Sequence, residues 1–91
     1  MELSAGDVVY SKAGRDKGKN FVVMEIVDEQ YVFICDGNLR KVDKPKKKKV
    51  KHLGKTAVTA NLVKEKLQSG TRVTNPDLRK VLSELELSAN I

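Results

Sequence analysis

At 91 residues, 40% of them hydrophobic and with a formal net charge of +6, the chain is sized for one domain, or one with a small appendage, and is too apolar for a disordered segment. Its single cysteine, Cys35, excludes an internal disulfide framework and fits a reducing compartment. No apolar stretch could span a membrane and the first residues lack the basic and apolar regions of a signal peptide, so a soluble, cytoplasmic protein is expected.

Residues 5–36 read as β. The short, β-branched "GDVVYSK" (Gly6–Lys12) ends at the punctuation Ala13-Gly14. "FVVMEIVD" (Phe21–Asp28) follows, with Val22, Met24 and Ile26 alternating onto one face and Val23, Glu25 and Val27 onto the other. After the polar connection Glu29-Gln30, "YVFICDG" (Tyr31–Gly37) is a third strand with Val32 and Ile34 sharing a face. Phe21, entering its strand, is expected in the core, and Cys35 is expected as half-buried structure. Three short strands joined by brief turns indicate an antiparallel meander, most economically closed into a small barrel.

The block 39–53, "LRKVDKPKKKKVKHL", is a different material. Pro45 inside a lysine run argues against a helix, while Val42, Val50 and Leu53 could anchor an extended, partly paired segment. Residues 57–87 then read as two helices. Thr59 is a candidate cap for the first, which points Leu62, Val63 and Leu67 inward and ends at Ser69-Gly70. Thr74-Asn75-Pro76-Asp77 matches a capping box, with Val73 and Leu78 at staple spacing, although Pro76 leaves Asn75 open as the cap instead. Leu78, Val81, Leu82 and Leu85 form the helical stripe. The expected organisation is α+β, mainly β: a barrel over 1–55 with the basic segment 39–53, and a helical hairpin over 56–91 packed on it.

Charge is concentrated rather than spread. Residues 1–30 carry a net −2, residues 31–55 a net +7 and residues 56–91 a net +1. Such local density suits a polyanion partner. The alternatives for the lysine run are a solvated charged loop and a nuclear import signal, which "PKKKKVK" matches in composition. Chemistry finds no support. Cys35 and His52 lie in separate segments without a third orienting group, and one Cys with one His cannot complete a zinc site. Glu25, Asp28, Glu29, Glu84 and Glu86 read as solvated faces and turns. No phosphate-binding or dinucleotide motif is present, so neither enzyme activity nor a cofactor or metal is expected.

Gly6-Asp7-Val8-Val9, then Gly14-Arg15-Asp16-Lys17-Gly18-Lys19 and an apolar strand, resembles the KOW motif of ribosomal proteins and transcription elongation factors. The whole of Ala13–Leu53 is similar to the archaeal and eukaryotic large-subunit ribosomal family numbered fourteen-e and to its small bacterial relatives, while residues 56–91 carry little of the resemblance. At Asn20-Phe21 the sequence departs from the wider KOW pattern, where many members have a polar residue and a glycine. The resemblance implies a small SH3-like barrel that binds ribosomal RNA through loops; a ribosome-associated protein of the cytoplasm, monomeric off the ribosome, is expected.

The residues expected at RNA are Lys12, Gly14, Arg15, Lys17, Gly18 and Lys19, followed by Arg40, Lys41, Lys44, Lys46, Lys47, Lys48, Lys49, Lys51 and His52. Gly18 is suited to a positive φ, Gly14 to close backbone approach, and the cations to phosphates. Asp16 is expected to order the loop by accepting backbone N–H groups. The alternative function is a KOW protein-interaction module docking on polymerase or a ribosome-associated factor, and a third is a generic polyanion binder. A contact with a neighbouring protein through Leu85, Leu87 or Ile91 stays open.

Overall fold

The computed structural model describes residues 2–89, and their side chains as far as Glu86. The alternating β-branched residues of the first half form β1 (Asp7–Ser11), β2 (Asn20–Ile26) and β3 (Tyr31–Cys35), paired antiparallel as a meander. Asp28 closes the β2–β3 connection by accepting the N–H groups of Gln30 and Tyr31 at 2.8 and 2.9 Å. Asp36 does the same after β3, accepting from Asn38 and Arg40 at 2.9 and 2.8 Å.

The lysine run becomes a strand. β4 (Lys46–Lys49) starts directly after Pro45 and pairs with β3, so the basic block is partly paired, as expected, and extended over these four residues. A 3-10 turn, Val50–His52, carries the chain across to β5 (Leu53–Thr59), which lies antiparallel to β1. The sheet order is β4-β3-β2-β1-β5. β4 and β5 are its edges and no ladder joins them among the described residues, so the sheet is open where a closed barrel was expected.

The sheet nevertheless curls. Val9, Phe21, Val23, Val32, Ile34 and Leu53 share one face and are essentially inaccessible, yet among the described residues the only partly buried hydrophobics packed against them are Leu3 and Val50. A flat sheet would leave that face wet, so it must wrap around its own side chains. Phe21 is core, as expected, and Cys35 is more deeply buried than expected. A bulge between Val23 and Glu25 breaks the anticipated alternation in β2. Ile26 pairs with Val32 and thereby joins the Val23 face instead of the Val22 face.

The opposite face is covered by α1 (Asn61–Ser69) and α2 (Asn75–Ala89). There Val8, Val22 and Cys35 pack with Ala60, Val63, Val73, Leu78 and Leu82. Two expectations for the first helix are corrected. Thr59 is the last residue of β5 and Ala60 takes the cap position without a side-chain bond, because pairing with Asp7 and the Ala60 N–H bond to the Gly6 carbonyl (2.8 Å) hold this stretch to β1. Leu62 is exposed, leaving Val63 and Leu67 to face the core. β5 also runs across the division expected between residues 55 and 56. At α2, Thr74 is the cap: it exchanges bonds with Asp77, backbone to side chain in both directions, at 3.0 and 3.3 Å. Asn75, left open as the cap, instead accepts the Val42 N–H at 2.9 Å. Leu87 and Ile91, named as possible contacts, have side chains outside the described residues.

Candidate nucleic-acid interface

The loop from Ala13 to Lys19 is held by its own backbone. Gly18 N–H reaches the Ser11 carbonyl (2.8 Å), Ser11 N–H the Lys19 carbonyl (3.0 Å) and Lys19 N–H the Asp16 carbonyl (2.9 Å). Gly18 supplies the left-handed conformation this closure needs, at φ 85°. With the backbone turned in on itself, Arg15, Lys17 and Lys19 point outward and are exposed.

Asp16 points the other way. It is buried and accepts from Arg40, Nη2 at 2.9 Å and Nε at 3.3 Å. The expectation that its carboxylate accepts backbone N–H groups is therefore corrected: it orders the loop through an ion pair with the β3–β4 connection. The acid is hidden and the three loop cations are not. Arg40, expected at RNA, spends part of its guanidinium on this contact, with its side chain still 32% exposed.

The pairing of β4 with β3 splits the lysine run between two faces. Lys46 and Lys48 oppose Ile34 and Val32, on the face of the enclosed core. Lys48 Nζ reaches the Ala13 carbonyl at 3.4 Å, and the β4 strand is thereby tied to the glycine loop. Lys47 and Lys49 oppose Phe33 and Tyr31, on the other face. On the loop's other flank, Lys12 N–H donates to the His52 carbonyl at 2.8 Å, so Lys12 and the Lys51-His52 turn adjoin the loop base. Lys41 and Lys44 bracket a turn, Lys44 N–H to the Lys41 carbonyl at 3.0 Å, anchored by Val42 against the helix-side core.

The structure thus brings Lys12, Gly14, Arg15, Lys17, Gly18, Lys19, Arg40, Lys48, Lys51 and His52 into one neighbourhood, with Lys46 on the same strand face as Lys48. Lys47 and Lys49 form a second surface, and Lys41 and Lys44 a third. The Asp16–Arg40 pair, 24 residues apart in sequence, is the element that sequence reading missed. An acid among three cations in a tight loop was its available signal.

Cys35 lies under the helices, and burial, then the charges of Asp36 and Asp43, push its thiol up to about 11. It stays protonated at neutral pH and is no nucleophile there. No group of three or more His, Cys, Asp or Glu suited to a metal occurs among the described residues. No helix among them is long and apolar enough to cross a membrane. Compared with known proteins, the sequence matches no family model and no curated protein.

Proposed function

We propose that this chain is a small RNA-binding protein of the ribosomal KOW type, engaging large-subunit ribosomal RNA in the cytoplasm without doing chemistry. The carrying observation is the glycine loop: its acid is turned inward onto Arg40, while Arg15, Lys17 and Lys19 face solvent beside Lys48. In this reading the curled sheet is an SH3-like barrel, and the loop and the lysine strand form its phosphate-binding rim. Affinity is mostly electrostatic and selectivity comes from RNA shape.

Charge reversal at Arg15, Lys17 and Lys19 tests it. The reversal should lower affinity for a ribosomal RNA fragment and flatten the plot of log K against log salt by about 2–3, as expected from three lost phosphate contacts. Unchanged affinity in a folded triple variant would rule the loop out. Sedimentation of the protein with large subunits on a sucrose gradient, at low and high salt, tests the ribosomal assignment in cells.

One observation favours a second reading, a KOW module docking on polymerase or a ribosome-associated factor. Val58 and Leu62 are exposed beside the partly buried Val81 and Leu85, in a shallow groove between β5 and α2. On that reading Leu62→Asp, and not the loop variant, removes the protein from the complex it sediments with.

A further inference from the structure

Tyr31 and Phe33 are two of only four aromatic residues in the chain, and neither belongs to a core formed by the described residues. They alternate with the fully buried Val32 and Ile34, so they lie on the face that carries Cys35. The helices cover that face at Cys35, but neither ring belongs to the core they form, and both rings stay partly exposed. β4 then sets a lysine opposite each ring, Lys49 across from Tyr31 and Lys47 across from Phe33. The Lys47 ammonium lies over the Tyr31 ring, 4.8 Å from its centroid.

We propose that Tyr31 and Phe33 form a stacking platform for unpaired RNA bases, with Lys47 and Lys49 gripping the adjoining phosphates. This inference rests on the RNA-binding reading and extends it to a surface distinct from the glycine loop. Residues two apart on a strand are about 7 Å apart, so each ring offers its face to a separate base. Aromatic rings on an open sheet face are a general means of holding single-stranded RNA, because every base has a π-face. Double-stranded RNA keeps its base faces stacked inside the helix and cannot use such a platform. A protein partner fits less well, since lysine is depleted at the centres of protein interfaces and here one stands against each ring. Glu25, exposed and opposite Phe33 on β2, repels phosphate from that side. The nucleic-acid backbone therefore runs along β4. A base arriving on Tyr31 takes the ring face that Lys47 covers, and the ammonium swings on its flexible stem to a phosphate.

The protein has no Trp and only two Tyr, so tyrosine emission reads the platform directly. In a Tyr10→Phe background Tyr31 is the sole emitter, and titration with an eight-nucleotide oligouridine should quench it along the binding curve. Anisotropy with the same oligomer, labelled, should show Tyr31→Leu/Phe33→Leu weakening binding by about tenfold or more. The same pair should leave affinity for a blunt RNA duplex within about twofold, since phosphate contacts alone serve a duplex. Saturating oligouridine that leaves Tyr31 unquenched overturns the platform while the loop reading stands, and equal oligouridine affinity in the folded double variant does the same. Failure to bind either RNA overturns both.

Discussion

Asp16 decides how the charge of the glycine loop is presented. Its burial against Arg40 removes an acid from the surface and fixes the loop from inside. Asp16→Asn adds positive charge near the loop but weakens a charge-assisted contact, costing about 1–2 kcal/mol in urea unfolding. If loop order matters, RNA affinity falls despite the added charge; a rise in affinity would show that charge alone is read. Glycines divide in a similar way. Gly18 has a positive φ but open space around it, so Gly18→Ala should cost about 1–2 kcal/mol. Gly37 has φ 78°, and a Cβ there would overlap the Asn75 carbonyl oxygen, which is backbone and cannot swing aside. Gly37→Ala should cost at least about 3 kcal/mol, read by thermal unfolding, and loosen the first turn of α2.

At the scale of elements, the start of α2 is a junction. Asp77 closes the capping box and also takes the Lys66 ammonium at 2.7 Å, joining α2 to α1. The Lys66 bond, then the Thr74 N–H, hold its carboxyl below the ordinary 3.8. A depressed pKa means that the folded state prefers the ionised form. The stabilisation is therefore complete above about pH 4 and is lost as pH falls through the lowered value. Unfolding followed between pH 5 and 2 should show this loss, and Asp77→Asn should flatten that part of the profile while lowering stability at neutral pH. The capping box was legible because its residues are local in sequence. The β5 strand was not: Thr59 has the chemistry of a helix cap, and only pairing with Asp7 on β1 makes it a strand end. Tertiary pairing overrode a local preference.

For the whole molecule, one sheet serves two cores, curling around the first and offering its back to the helices for the second. The three-strand meander and the loop cations could be read from residue order, since β-branched alternation and glycine punctuation act locally. The curl, the bulge in β2 and the division of the lysines could not. Lys46 to Lys49 are identical in sequence, and their directions are set by which β3 residue each one opposes.

That strand has a consequence for the chain before it meets any partner. β4 is an open edge, with unpaired backbone groups that could template another copy's strand. Four consecutive lysines make such a meeting repulsive. Replacing Lys46, Lys47, Lys48 and Lys49 by threonines, which suit a strand, should keep the fold but produce concentration-dependent association in light scattering. High salt should push the unaltered protein in the same direction, by screening the same charges. Under the proposed function, RNA that neutralises those lysines also lies across the edge they guard, so the protection against self-association passes from the protein's own charge to its ligand.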